Sequence, residues 1–218
     1  MTDPAGFVRD NTHVEAPALV PEIRLHLATE LTPIWQATED TLARHAMPPP
    51  FWAFAWAGGQ ALARYLLDHP DEVAGRDVLD FGSGSGLVAI AAAMAGAARA
   101  AAAEIDPFAA AAIVANARLN RVEIGIVTED LLFSSEPFWP VITAGDVCYE
   151  QPMAAAVTEW LRRRARAGSH VLLADPGRAY RPEAGLLELA RYEVPTTREI
   201  EDREMRETIV WRVVPSAR

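Results

Sequence analysis

The sequence predicts an α/β fold in which a parallel sheet is covered by helices on both faces, and three observations predict it. From Asp77 onward, apolar strand-like runs alternate with helical runs, the repeat that builds parallel sheets. The first run, VLDFGSGSG at 78–86, passes straight into a glycine turn, and in such sheets the ligand binds at that end of the strands. The chain has 218 residues, half of them hydrophobic, which suffices for one sizeable core and is small for two enzyme domains. The expected organisation is a single folding unit at 59–218 with an N-terminal helical extension, 1–58, packed on it.

Residues 17–46 mix short apolar spacing with prolines and read as short helical or extended pieces. MPPPFWAFAWAGGQ (47–60) interrupts them, because consecutive prolines disfavour helix and stiffen the chain. GQALARYLLDHP is a helix with Ala61, Leu62, Tyr65 and Leu66 on one face and Pro70 as its stop. DVLDF is then a strand, GLVAIAAAMAG a helix closed by Gly96, AAAAEI a strand, and PFAAAAIVANARLN a helix with Pro107 in its first turn. IGIVT and PVITAGD are strands, QPMAAAVTEWLRRRAR a helix, HVLLADP a strand and PEAGLLELARY a helix. Two strand runs, VPTT and ETIVWRVV, finish the chain.

Charge and composition exclude several functions. A formal net charge of −10 opposes the phosphate attraction that most nucleic-acid binders use, so no nucleic-acid partner is expected. No apolar run reaches membrane-spanning length, and the opening residues carry no export signal, so no membrane partner is expected either. The single cysteine, Cys148, cannot form an internal disulfide, and a cytoplasmic location suits it. The five histidines show no metal-ligand spacing, so no metal is expected. All 20 basic residues are arginine; the chain contains no lysine.

The absence of lysine excludes a Walker A reading of the glycine turn. A dinucleotide loop is harder to dismiss, since Gly84-Ser85-Gly86-Leu87-Val88-Ala89 satisfies G-x-G-x-x-A and Glu104 lies 20 residues after Gly84. Against it stands Asp80, two positions before Gly82, because a carboxylate there suits a cationic ligand better than a pyrophosphate. The simplest such ligand is S-adenosylmethionine, with Gly82, Gly84 and Gly86 admitting its methionine portion, Glu104 accepting from the ribose hydroxyls and Asp130 meeting the adenine amino group. The bland alternative is a tight turn with Glu104 capping a helix.

DVLDFGSGSG, AEIDP and GDVCYEQ together resemble the seven-β-strand methyltransferases, in the branch of protein lysine methyltransferases with a [DE]-x-x-[YF] motif after the fourth strand. PFWAFAWAGGQALARYLLDHP and VLLADPGR are most similar to the family that methylates the β-subunit of electron transfer flavoprotein. The resemblance implies strand order 3-2-1-4-5-7-6 with strand 7 antiparallel. It also implies catalytic roles for Asp146 and Tyr149, a cofactor-side role for Trp56, a protein substrate (the flavoprotein β-subunit) and a monomeric enzyme.

Asp146 would orient a flexible amine and Tyr149 would contact its aliphatic stem; read without the resemblance, Asp146 is equally a cap for the next helix and Tyr149 equally core. Phe51, Trp52, Phe54 and Trp56 wall a binding mouth or fill the core. Asp175-Pro176-Gly177-Arg178 follows the fifth strand with no assigned role. Other readings are a methyltransferase for another protein or a small amine, a cofactor-binding scaffold, and a dehydrogenase, the last weakened by the short chain beyond the loop.

Overall fold

The computed structural model describes residues 3–28, 49–134, 137–196 and 204–215. The part of the 17–46 stretch from residue 29 onward lies outside them. The N-terminal region holds α1 (Pro4–Asn11), capped by Asp3, and an antiparallel pair, β1 (His13–Glu15) and β2 (Leu25–Leu27). A short 3-10 turn, Phe51–Ala53, leads into α2 (Ala57–Asp68). The boundary expected between residues 58 and 59 therefore falls inside the first turn of α2.

The main sheet follows as β3 (Asp77–Phe81), β4 (Arg99–Ala103), β5 (Gly125–Val127), β6 (Val141–Gly145), β7 (His170–Asp175), β8 (Leu186–Pro195) and β9 (Met205–Val213). The helices between its strands are α3 (Leu87–Met94), α4 (Pro107–Asn120) and α5 (Met153–Arg166). The strand order is β5-β4-β3-β6-β7-β9-β8, with β9 antiparallel to both neighbours and the pairs from β5 to β7 parallel. Counted along the main sheet alone, this is the expected 3-2-1-4-5-7-6.

Period-2 alternation along the central strands sends side chains into two cores. Val78, Val141, Leu172 and Ala174 meet α2 and α3 on one face. Leu79, Ile142, Val171 and Leu173 meet Val157, Trp160 and Leu161 of α5 on the other. The alanine run is explained by α3, which is buried almost all round from Leu87 to Ala92, and by β4, whose Ala102 packs with Ala89 and Ile113. The predicted face of α2 is buried at all four positions, while Arg64 and Asp68 pair at 2.8 Å on its other side. The three arginines in the last turn of α5 complement the helix dipole, as their position suggests.

One element differs from its prediction. PEAGLLELARY is not a helix: from Leu186 onward it is β8, and Val194 and Pro195 of VPTT end that same strand. Its apolar spacing fits a helix, but β8 pairs with β9 along its whole length, with one irregularity at Glu188/Ala190, and Arg191 bonds across to Glu207. Cross-strand pairing at the sheet edge overrides local periodicity.

Candidate active site

The carboxyl ends of β3, β4, β6 and β7 converge on one edge of the sheet, and the predicted residues gather there. Gly82, Gly84 and Gly86 all have positive φ, so the turn after β3 enters the left-handed region at every second residue. At Gly86 the constraint is also spatial, because a Cβ would lie 3.2 Å from two side-chain carbons of Ile113. The loop is tied down from outside: buried Asn116 on α4 donates to the Ser85 carbonyl at 2.8 Å and accepts from the His26 amide of β2 at 2.7 Å. The N-terminal strand pair and the glycine loop thus share one buried side chain.

Asp80 is buried beneath the loop, its carboxylate bonded by the Ser83 hydroxyl and, at 2.8 Å, by Thr143 Oγ1. The register Asp80↔Thr143 between β3 and β6 sets these two side chains next to each other on one face. Burial is the main cause that pushes the Asp80 carboxyl up to about 7, against the two hydroxyl bonds.

Glu104 is at the end of β4, where its amide donates to Val127 O of β5 at 2.9 Å. Its carboxylate accepts from the Gly84 amide and the Asp106 amide, both at 3.0 Å. It is not the helix cap of α4, which is Asp106 bonding Phe108 N. Burial raises the Glu104 carboxyl above the usual range. Asp130, past the end of β5, is exposed and holds a turn through the Leu132 amide at 3.0 Å. Ile105, immediately after Glu104, is 67% exposed, an apolar side chain at the site edge that sequence reading passed over.

Asp146 ties the end of β6 to α2 and to the turn after β7. It follows β6 in a left-handed conformation, φ 58°, which aspartate tolerates better than most residues. It does not cap α5, whose N-cap is Pro152 without a side-chain bond. It caps α2 instead, from across the structure: Oδ2 accepts from Gly59 N at 2.8 Å, a bond that Trp56 at the N-cap does not make. Gly58 makes room for it, since a Cβ there would lie 2.6 Å from Asp146 Oδ2. The other oxygen, Oδ1, accepts from Arg178 Nη2 at 3.0 Å.

Arg178 is the residue that sequence reading left without a role. The turn that carries it is built on buried Asp175, whose Oδ1 accepts from Gly177 N at 2.7 Å and Arg178 N at 2.6 Å. Its guanidinium also lies 5.5 Å from the Trp56 ring centroid. The four N-terminal aromatics divide: Trp52 is buried among Val8, Ala109 and Ala112, whereas Phe51 lies at the surface with Trp56 and Tyr149 at 6.0 and 5.5 Å. Tyr149 is 41% exposed, so it does not fill core. Its phenol is raised above its usual range, chiefly by burial.

Among the described residues no His, Cys, Asp and Glu side chains cluster as metal ligands, and no helix is long and apolar enough to cross a membrane.

Comparison with known proteins agrees with this fold. The family model of ribosomal protein L11 methyltransferase (PrmA) matches residues 61–144, the segment that carries the glycine loop and Glu104 and stops short of Asp146. The magnesium protoporphyrin IX methyltransferase of Synechocystis with bound SAM has a similar fold, with a TM-score of 0.52 at 17% identity over 71% of this chain and 77% of that one. The electron transfer flavoprotein beta subunit lysine methyltransferase of Danio rerio is 38% identical over 96% of this chain and 83% of its own length. The human protein of the same name is 42% identical over 79% of this chain and 66% of its own length. At that identity and span the chain is a methyltransferase, and it belongs to the electron transfer flavoprotein β-subunit lysine methyltransferase family.

Proposed function

We propose that this protein transfers a methyl group from S-adenosylmethionine to a lysine of the electron transfer flavoprotein β-subunit, working in the cytoplasm. The observation that carries the reading is Asp146, held by α2 and Arg178 at the end of β6, with Trp56 and Tyr149 beside it and the glycine loop one strand away. The names of the relatives support the substrate.

The residues present suit the cofactor. The open face of Gly84, where a Cβ would meet nothing nearer than Trp52 Cα at 3.8 Å, leaves room for its methionine end. Glu104, pinned by two amides, keeps lone pairs for ribose hydroxyls, and Asp130 offers an exposed acceptor on the adenine side. When bound, the cofactor supplies a sulfonium-activated methyl group. The chain's own residues then do the alignment: Asp146 accepts an N–H of the amine, Tyr149 and Trp56 flank its aliphatic stem, and the aromatic mouth limits water.

Untagged enzyme incubated with labelled S-adenosylmethionine and purified β-subunit should label the β-subunit. Absence of label, with S-adenosylhomocysteine still bound in calorimetry, would keep the cofactor and overturn the substrate. Binding of NAD with none of S-adenosylhomocysteine would overturn both.

A further inference from the structure

We propose that Arg178 is a positioning residue that neutralises Asp146, so that the acceptor site takes the lysine side chain as a neutral amine and not as an ammonium ion. The proposal rests on the lysine-transfer reading above and assigns a role within that same site.

A free lysine has a pKa of about 10.4, so at neutral pH it arrives protonated and without a lone pair to attack with. A bare buried carboxylate at the acceptor site would make that worse, because an opposite charge within a few ångströms stabilises the ammonium. Asp146 is not bare. One oxygen takes the Gly59 amide at the positive end of α2, and the other takes the Arg178 guanidinium at 3.0 Å. Both side chains are largely shielded, with 19% and 10% exposure for Arg178 and Asp146, so the pairing is not that of a solvated surface ion pair. So compensated, Asp146 gives little advantage to the charged form of an amine whose N–H it accepts and whose nitrogen it turns toward the methyl group.

From the β7 turn, Asp175 and Arg181 join Asp146 and Arg178 in acting on the Cys148 thiol, the two acids raising it and the two arginines opposing them. Burial raises the Asp175 carboxyl itself. α2 contributes an amide, and the Trp56 ring contributes no titratable charge. On the segment of Asp146 itself, Cys148 is pushed up to about 12 and the Tyr149 phenol is raised by burial, Glu150 and Glu104, with Arg178 opposing. Neither loses its proton near neutrality. Asp80, pushed up to about 7 by burial, lies beneath the glycine loop, and burial also raises Glu104. The amine of the substrate is the group whose titration Arg178 is proposed to move.

The test is a pH profile of kcat on the β-subunit, at saturating cofactor and substrate, for wild type, Arg178→Gln, Asp146→Asn and the double variant. A guanidinium near the amine shifts its titration by about one pH unit or more. Arg178→Gln should thus move the rising limb up by about one unit, with about tenfold lower turnover at the acid end and recovery toward wild type at the alkaline end. Arg178→Lys should hold the limb in place. Asp146→Asn should move it down, and the double variant, again balanced, should return it near the wild-type position.

A second readout is independent of turnover. Calorimetry of β-subunit binding to enzyme saturated with S-adenosylhomocysteine, repeated in buffers of different ionisation enthalpy, should show proton release for wild type within the pH range of the rising limb and a smaller release for Arg178→Gln. A purely structural role predicts an equal loss of turnover at every pH and unchanged proton release, and that result overturns the proposal. If Arg178→Gln does not fold, an unmoved or raised limb in Asp146→Asn overturns it as well. A wild type that methylates no lysine of the β-subunit overturns the functional reading and this role with it.

Discussion

Thr143 on β6 donates a 2.8 Å hydrogen bond to Asp80 on β3, across a register that makes the two residues direct neighbours. Together with Ser83, this bond fastens the glycine loop to the sheet from below. Asp80→Asn keeps an acceptor for Thr143 and should fold. Asp80→Ala leaves the buried Thr143 hydroxyl and the half-buried Ser83 hydroxyl without their acceptor and should cost about 1–3 kcal/mol in urea unfolding.

The Asp80 carboxyl also gives stability a pH dependence of known sign. Its folded pKa of about 7 lies above the unfolded value of about 3.9, so protonation favours the folded state. That contribution is fully present below pH 4 and is lost as pH rises through 7, with roughly 4 kcal/mol as the upper bound from the size of the shift. Urea unfolding of wild type and Asp80→Asn from pH 4 to 8 should show the variant gaining on wild type across that window. Parallel curves would contradict the buried carboxyl.

Glu104→Ala removes the acceptor of both the Gly84 and Asp106 amides along with the proposed ribose contact. Affinity for S-adenosylhomocysteine should fall by about 1.5–3 kcal/mol in a folded variant. Undiminished affinity in calorimetry would leave Glu104 with a loop-holding role alone.

Gly58→Ala places a Cβ 2.6 Å from Asp146 Oδ2 and 2.7 Å from the Ala174 carbonyl, so something must shift. The expected outcome is a stability loss of about 1–3 kcal/mol with turnover reduced and cofactor affinity near wild type, because the loop and Glu104 are untouched. Unchanged turnover would show that the position of Asp146 is not critical.

Cys148 is 1% exposed, and burial, followed by Asp175 and Asp146, pushes its thiol up to about 12. Iodoacetamide at pH 8 should leave the folded protein unmodified and alkylate it once in urea, read as intact mass. Modification at the same rate in both states would contradict its burial.

The parts legible in the sequence are those that local order encodes. The strand–glycine–helix unit, the amphipathic face of α2 and the Asp106-Pro107 start of α4 are each written within a dozen residues. β8 was not legible, because Leu186, Leu187, Leu189 and Ala190 fit a helix until β9 is in place. The direction of Asp80 depends on a neighbour 63 residues away, and the partners of Asp146 lie 87 and 32 residues away at Gly59 and Arg178. The resemblance pointed to Asp146; only the fold shows that it caps α2 and carries Arg178.

The central claim, methyl transfer to a lysine of the flavoprotein β-subunit, is tested most directly by the intact mass of that subunit after incubation with untagged enzyme and S-adenosylmethionine. The enzyme contains no lysine, so any methyl-lysine in the digest comes from the added substrate. The account predicts mass increments of whole methyl groups that map to lysine and that fall sharply with Asp146→Asn. A β-subunit of unchanged mass, from wild-type enzyme that binds S-adenosylhomocysteine, would contradict it.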